Sequence, residues 1–362
     1  MNTTTNATLN AAEQTPAPKT IKKIAAVATP AKTNTHKTQR VHFSKWLQVN
    51  EFVDEMVQKH GFEPHVLLNI FDETLLNETA IELVKPAPPG KPKNWKAYRA
   101  RFLEPVRIDA GLKFWETYEE ALQRAQTQYG VDAEIIVGLI GVETVFGRNT
   151  GNFRVVDVLT TLAFAYPETP NRDARMRFFR SELEQLFLLS RTQQTDIFSY
   201  KGSYAGAMGW SQFMPSSLAK FGVDFDGDGK IDLTNSAVDA IGSVANYLQQ
   251  HGWKSQLPKV YPATLLLPED HPQLKNALGQ GLKANFKLEE LNTIVSSAQQ
   301  SIPSNVRYGL VDLQNGFDPT EYWLASDNFF AITYYNRSYF YAMSVIDLGK
   351  VIAETKKSSY KN

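Results

Sequence analysis

One carboxylate in this chain stands out by the company it keeps. In Val137-Gly-Leu-Ile-Gly-Val-Glu143-Thr-Val-Phe-Gly-Arg148, Glu143 closes a run with no other charge back to Glu134. Burying a carboxylate among apolar neighbours is costly, so such a group tends to keep its proton. A protonated Glu facing a cleft is a general acid, able to hand its proton to a leaving oxygen as glycosidases do. Taken alone, the segment fits a plainer role slightly better: a helix-end Glu turned outward or paired with Arg148, since lone helical Glu residues are usually solvated.

The balance shifts at Lys201-Gly-Ser-Tyr-Ala-Gly-Ala-Met-Gly-Trp-Ser-Gln-Phe-Met-Pro215. Glycines at 202, 206 and 209 permit tight turns and close backbone approach, and Ser203, Tyr204, Trp210 and Gln212 are set among them. Small residues beside hydrogen-bonding and aromatic side chains suit a sugar, which offers hydroxyls at its rim and an apolar face. Ordinary glycosidases need two carboxylates. The next acid after Glu143 is Asp157, in Arg154-Val-Val-Asp-Val-Leu, and it is expected to cap a helix. No second carboxylate has an evident claim. Histidines at 36, 42, 60, 65, 251 and 271 form no metal-ligand spacing, and no Ser-His-Asp arrangement emerges.

Asp224-Phe-Asp-Gly-Asp-Gly-Lys-Ile-Asp232 is a second chemical signal. Asp224, Asp226, Asp228 and Asp232 supply oxygens at the first, third, fifth and ninth positions of a loop. Gly229 stands at its sharp turn, and the Lys230 carbonyl takes the seventh position. These are the requirements of an EF-hand calcium loop, except that its twelfth position is Asn235 in place of a bidentate Glu. Calcium here is expected to be structural, clamping the chain near the Gly-rich loop. The plainer reading is an acidic turn without metal.

Taken together, these motifs resemble the lytic transglycosylases of the MltB type, peptidoglycan-cleaving enzymes with a lysozyme-like core. The resemblance covers nearly all of residues 43–352. It is carried by Gly141-Val-Glu-Thr, Gly147-Arg148, Lys201-Gly-Ser, Gly206-Ala-Met-Gly, Gln212-Phe-Met-Pro-Ser216 and Asp239-Ala-Ile-Gly-Ser-Val-Ala-Asn-Tyr247. It implies that Glu143 protonates the oxygen of the β-1,4 bond between N-acetylmuramic acid and N-acetylglucosamine. Acting next as a base, Glu143 would take the proton of the muramyl 6-hydroxyl, which attacks C1 to give a 1,6-anhydro product without water. By the same resemblance Ser203, Gln212, Tyr98, Tyr247, Asn336 and Tyr341 line the saccharide groove, with Ser203 hydrogen-bonded to Glu143 or to the N-acetyl group. For each tyrosine, core packing with a satisfied hydroxyl is an even alternative. The family closes its calcium loop with a later Asp, which makes Asp239 the closing ligand in a loop one residue longer than usual. Two other functions remain open: a hydrolytic muramidase on the same fold, and a non-catalytic peptidoglycan-binding protein.

The elements that must position these residues are mostly helical. Trp46, Val49, Phe52, Val53, Met56 and Val57 recur at helical spacing up to His60-Gly61, and Glu63-Pro64 opens a helix to about Leu76. Pro86–Pro92 is a loop. Leu112, Trp115, Tyr118, Leu122 and Ala125 predict one amphipathic helix ending at Tyr129-Gly130, and Val131-Asp132 caps the helix that delivers Glu143. Helices over 157–166 and 176–190 flank an irregular Pro167–Arg175 loop. Val238–His251 is another helix. Prolines at 258, 262, 268 and 272 with β-rich runs at Tyr261–Leu267 and Tyr308–Leu313 predict a small mixed domain. Asn328–Ile352 is an aromatic strip and a final helix.

The fold class is therefore α+β, mainly α. Its expected parts are a disordered tail at 1–40, a helical domain at 41–130, and a lysozyme-like core with the EF-hand-like loop at 131–254. A small inserted β-domain at 255–325 and a return segment at 326–356 complete it. The chain has 38 basic and 38 acidic residues, which leaves no general footprint for nucleic acid. Residues 1–40 nevertheless carry +5, from Lys19, Lys22, Lys23, Lys32, Lys37 and Arg40 against Glu13. There is no cysteine, which excludes disulfides and thiolate catalysis within these residues, and no N-terminal lipid anchor on Cys is expected. No segment reaches transmembrane length and no export signal is evident, so a soluble, monomeric, periplasmic protein is expected.

Overall fold

The computed structural model describes residues 36–86, 92–298 and 301–359. Residues 1–35 of the tail expected over 1–40, and most of the expected Pro86–Pro92 loop, lie outside them, whereas Thr38–Arg40 of that expected tail form a strand. The described residues fall into two compact units, one drawn from residues up to Pro89 with Val156–Phe187, the other from Gly90–Val155 with Leu188–Asn362.

The first unit packs α1 (Leu47–His60), α2 (Pro64–Glu73) and α3 (Glu78–Val84) with most of α8 (Val155–Phe164) and α9 (Arg172–Gln193). Phe52, Phe71, Phe164 and Phe187 meet at its centre with ring centroids 5.7–6.4 Å apart. Gly61 ends α1 in the left-handed conformation, as the His60-Gly61 signal predicted. The second helix is shorter than expected. It stops at Glu73, and β2 (Leu75–Asn77) pairs antiparallel with β1 (Thr38–Arg40). Leu75 N–H donates to Asp157 Oδ1 at 3.0 Å, which draws the chain out of the helix. Asp157 lies inside the first turn of α8, 3% exposed. The irregular stretch before α9 is also shorter than expected, since that helix begins at Arg172.

The second unit holds α4 (Trp95–Arg99), α5 (Pro105–Thr117), α6 (Glu119–Tyr129), α7 (Ala133–Thr144), α10 (Pro215–Phe221), α11 (Ala237–Gln250), α14 (Asp327–Tyr335) and α15 (Tyr339–Ser359). The single helix expected before Gly130 is two, because Tyr118 at φ −116°, ψ 26° breaks it between α5 and α6. A five-stranded antiparallel sheet in this unit has the order β6 (Phe286–Lys287), β8 (Arg307–Asn315), β9 (Asp318–Ala325), β5 (Val260–Leu265), β7 (Val295–Ser296). It packs with α12 (Pro272–Leu278) and α13 (Leu288–Leu291) around Leu274, Leu291, Val295, Tyr308, Leu310 and Leu324. A two-stranded ribbon of β3 (Phe153–Arg154) and β4 (Lys201–Gly202) opens the Gly-rich loop.

Helix α7 is apolar on every side, with Ile135 through Val142 buried, as expected of a helix inside a core. Its start is held by Lys259, whose Nζ reaches Asp132 at 2.7 Å and Glu134 at 2.8 Å. Asp132 occupies the cap position but spends its side chain on this ion pair rather than on the helix N–H groups. Along its length α7 lies against α15 at contact distance of the backbones. A Cβ on Gly138 would sit 2.2 Å from the Val345 carbonyl oxygen, and one on Gly349 would sit 2.0 Å from that of Glu134. Both positions therefore require glycine. Replacing Gly138 with Ala should force the helices apart and lower stability by about 1–3 kcal/mol, the usual cost of overpacking. In an uncrowded helix the same change stabilises by roughly 0.5–1 kcal/mol. The sign of the shift in a urea unfolding curve therefore decides whether the contact constrains the fold.

Candidate active site

Glu143 sits in the last turn of α7 and is half-buried. The plainer expectations for it are not met: Arg148 is exposed, and no ion pair joins it to Glu143 among the described residues. Instead Glu143 Oε1 accepts a hydrogen bond from the Tyr341 hydroxyl at 2.5 Å. Burial pushes the carboxyl pKa up to about 7, and the Tyr341 donor opposes that rise without cancelling it. No second carboxylate contributes to the shift. At neutral pH the group is therefore poised between acid and base.

The turn after Glu143 is held under strain. Val145 and Phe146 both adopt positive φ, 52° and 56°, a region that bulky and β-branched side chains avoid. Thr144, fully buried, stabilises it: its Oγ1 accepts the Gly147 N–H at 3.0 Å, and the hydroxyl lies 3.1 Å from the Trp210 carbonyl oxygen it can donate to. That contact ties the end of α7 to the Gly-rich loop. Arg107 of α5, 2% exposed, donates to the Gly141 carbonyl at 2.6 Å and so places a cation at the helix C-terminus, where the dipole favours it.

Within the Gly-rich loop the backbone folds back on itself, with Met208 and Phe213 exchanging both N–H bonds, at 2.8 and 3.1 Å. Gly209, at φ 68°, passes so near the Leu233 carbonyl oxygen that a Cβ would lie 2.1 Å from it. Ser203 Oγ accepts from the N–H groups of Ala205 and Ala207, at 3.3 and 3.1 Å. Gln212, at φ 51°, donates through Nε2 to the carbonyls of Thr150 and Gly209. Its Oε1 makes no hydrogen bond among the described residues, which leaves an acceptor for a ligand hydroxyl.

The tyrosines divide by what their hydroxyls do. Tyr98 on α4 is partly exposed and close enough to Glu143 that burial, and then the Glu143 charge, push its pKa up to about 12. Tyr335 on α14 also feels that charge, and its hydroxyl donates to the Ser211 carbonyl at 2.5 Å. Tyr247 is 8% exposed, donates to the Tyr334 carbonyl at 2.8 Å, and stacks on His251 with centroids 4.0 Å apart. It backs Tyr335, whose ring lies 4.8 Å away. Asn336 follows α14 with its side chain exposed. Reading motifs along the chain singled out neither Tyr335 nor Arg107. Tyr335 belongs to the dense aromatic run 334–341 and was visible only as part of it, and nothing local marks Arg107.

The acidic loop brings together ligand oxygens of Asp224, Asp226 and Asp239, all within 4.8 Å of one another. Asp224 also gathers the N–H groups of Gly227, Asp228 and Gly229, which curls the loop around it. Asp239, 1% exposed, accepts from Phe225, Asp226 and Asp232, and burial raises its pKa. Asp228 and Asp232 are outside this cluster: the first accepts from Lys230 N–H, the second from Thr234 and Asn235. Three converging carboxylates that repel one another suit a hard cation with oxygen ligands.

A family model described as a transglycosylase SLT domain matches residues 42–350. The chain is 40% identical over 312 residues to membrane-bound lytic murein transglycosylase B of Escherichia coli (strain K12), covering 84% of this chain and 82% of that one. It is similar to the crystal structure of soluble lytic transglycosylase SltB1 from Pseudomonas aeruginosa, at 42% identity and TM-score 0.76, over 86% of this chain and 99% of that one. It is also similar to the Escherichia coli lytic transglycosylase Slt35 in complex with calcium, at 38% identity and TM-score 0.76, over 88% of this chain and 96% of that one.

The position of Glu143 has a consequence for stability. Its pKa rises from 4.5 to about 7 on folding, so between those values the native state binds more protons than the unfolded chain. Stability therefore falls as pH rises through that window. Glu143→Gln abolishes this titration and keeps an oxygen for Tyr341. The variant should melt at a higher temperature than the parent at pH 8, with the gap shrinking towards pH 4. A gap that does not change with pH would mean that the carboxyl is not desolvated.

Proposed function

The chain belongs to the transglycosylase SLT domain family, and from that premise we propose that Glu143 works as the lone acid and base of the reaction. The protein is a lytic transglycosylase of peptidoglycan. The observation that carries the proposal is a single carboxyl, poised at about 7, touched by a neutral hydroxyl and by no cation.

In this reading, protonated Glu143 gives its proton to the oxygen joining C1 of N-acetylmuramic acid to N-acetylglucosamine. The bond breaks as positive charge develops at C1, which the muramyl N-acetyl oxygen stabilises. Glu143, now a carboxylate, takes the proton of the muramyl 6-hydroxyl, whose oxygen attacks C1 and closes the 1,6-anhydro ring. An internal hydroxyl held in position replaces an activated water. A water-activating second carboxylate is then unnecessary, consistent with Asp157 being engaged by Leu75. Gln212 Oε1, Ser203, Tyr98 and Asn336 supply contacts along the groove, Tyr335 adds a further aromatic wall, and Tyr247 supports it from behind. The substrate polymer lies outside the inner membrane, so the proposed place of action is the periplasm. Among the described residues no helix is long and apolar enough to cross a membrane.

We also propose that Asp224, Asp226 and Asp239 hold a structural Ca²⁺, with Asp228, Asp232 and the Lys230 carbonyl joining when the ion is bound. The buried Asp239 links the loop to the first turn of α11, so the ion would act on the fold and not on the reaction.

Glu143→Gln should lower turnover on purified sacculi by at least ~10²–10⁴-fold, the usual loss for general acid–base catalysis, while saccharide binding persists. Released muropeptides should end in 1,6-anhydromuramic acid, each lighter by one water than the hydrolytic product. Reducing muramic ends as the main product would favour a muramidase instead. Chelation should lower the melting temperature by mass action, and Asp226→Ala should remove most of that sensitivity. Immediate loss of turnover on chelation, with the fold intact, would put the ion in the chemistry.

A further inference from the structure

Several tyrosines surround the carboxyl of Glu143, and one of them touches it. Tyr335 has committed its hydrogen to the Ser211 carbonyl, and Tyr98 lies among the rings of Trp95, Phe102 and Phe340. Tyr341 is 4% exposed, and its hydroxyl has no hydrogen-bond partner among the described residues except Glu143 Oε1. Two arrangements of that contact are conceivable. In one, Glu143 donates to the phenol, and the phenol hydrogen is left buried without an acceptor. Leaving a buried donor unpaired disfavours that state by about tenfold or more. In the other, the phenol donates to Oε1, so its hydrogen is satisfied and Oε2 is left to carry the proton.

We propose that Tyr341 is a positioning residue that keeps Oε1 occupied as an acceptor, so that the transferable proton is carried by Oε2 alone. Oε2 is then the oxygen that serves the scissile bond and afterwards the 6-hydroxyl. One face of the carboxyl is thereby assigned to support and the other to chemistry, and the proton does not have to choose between them. The inference rests on the reading of Glu143 as acid and base. It departs from the role that the sequence resemblance implied for Tyr341, which was contact with the sugar.

The same contact tempers the rise in pKa that burial gives Glu143. The other titratable and charged groups around the pair are Tyr98 from α4, with Arg101 over its ring at 5.7 Å, Tyr335 from α14, and Arg107 from α5. Arg107 is spent on the carbonyls of Gly141 and Val142 and on Glu104, and on α15 itself Asp347 is paired with Arg99. Tyr341 is therefore the group whose removal should alter the ionisation of Glu143 most directly. A donor to Oε1 favours the carboxylate, so its loss lets burial raise the pKa further.

The test is the full chain carrying Tyr341→Phe, assayed on soluble uncrosslinked glycan strands across pH. The alkaline limb of kcat/KM should move to higher pH by about one unit, the shift expected for loss of a hydrogen bond to a charged group. At the optimum kcat should fall about tenfold while KM changes by less than about twofold. An unmoved limb with a raised KM would make Tyr341 a sugar contact and overturn the proposal, as would wild-type kinetics. If Tyr341→Phe does not fold, 3-fluorotyrosine incorporated at 341 decides the matter. Its stronger donor should move the limb to lower pH, and no movement overturns the proposal. Glu143→Gln separates the two levels: activity retained there defeats the acid–base reading itself. An inactive Glu143→Gln beside an unmoved limb in Tyr341→Phe defeats only the role given to Tyr341.

Discussion

Helices α7 and α15 meet with backbone against backbone, and the site depends on that contact. Gly138 and Gly349 leave no room for a side chain between the two helices. Two consequences follow at the far end of α7. Tyr341 on α15 comes within hydrogen-bond reach of Glu143, and the carboxyl is buried without meeting any cation. A wider crossing would let water in and return the carboxyl towards its ordinary value of 4.5. An arginine in reach would depress it further and leave no acid at neutral pH. The chemistry therefore depends as much on what is kept away from Glu143 as on what touches it.

This arrangement conflicts with stability at several points, all of them next to Glu143. Val145 and Phe146 hold left-handed backbone that their side chains disfavour. Arg107 is almost fully buried, and its Nε has no partner among the described residues. The carboxyl itself is poorly solvated. These costs are met by Thr144, which ties the turn to Trp210, and by Phe146, whose ring packs 5.1 Å from Phe114. The converging carboxylates of Asp224, Asp226 and Asp239 form a separate electrostatic load, where the acidic loop leads into α11.

Much of this was legible in the residues. Glu143 was marked by the absence of charge around it, and the His60-Gly61 and Tyr129-Gly130 stops by the left-handed conformation only glycine adopts readily. The class, mainly helical with a small sheet, followed from periodicity and proline spacing. What stayed hidden was whatever depends on distant pairing. Residues 75–77 read as the end of a helix because their partners, Thr38–Arg40 and Asp157, are remote in the chain. The break at Tyr118 leaves the apolar pattern unchanged, so periodicity ran through it. Asp157 read as a helix cap and proved to be an acceptor inside the first turn. Tyr341 could be placed near the groove by resemblance, but not on a particular oxygen of Glu143, because only the packing of α7 on α15 decides that.

The central claim concerns the ionisation of one carboxyl, and it can be measured without reference to turnover. With ¹³C introduced at the glutamate side-chain carboxyls, the resonance that disappears in Glu143→Gln identifies Glu143. Its chemical shift can then be followed from pH 4 to pH 9 in the folded protein. The account predicts a midpoint near 7. A midpoint at the ordinary value of 4.5 would leave Glu143 ionised throughout the working range, with no proton to give, and would contradict the account at its base.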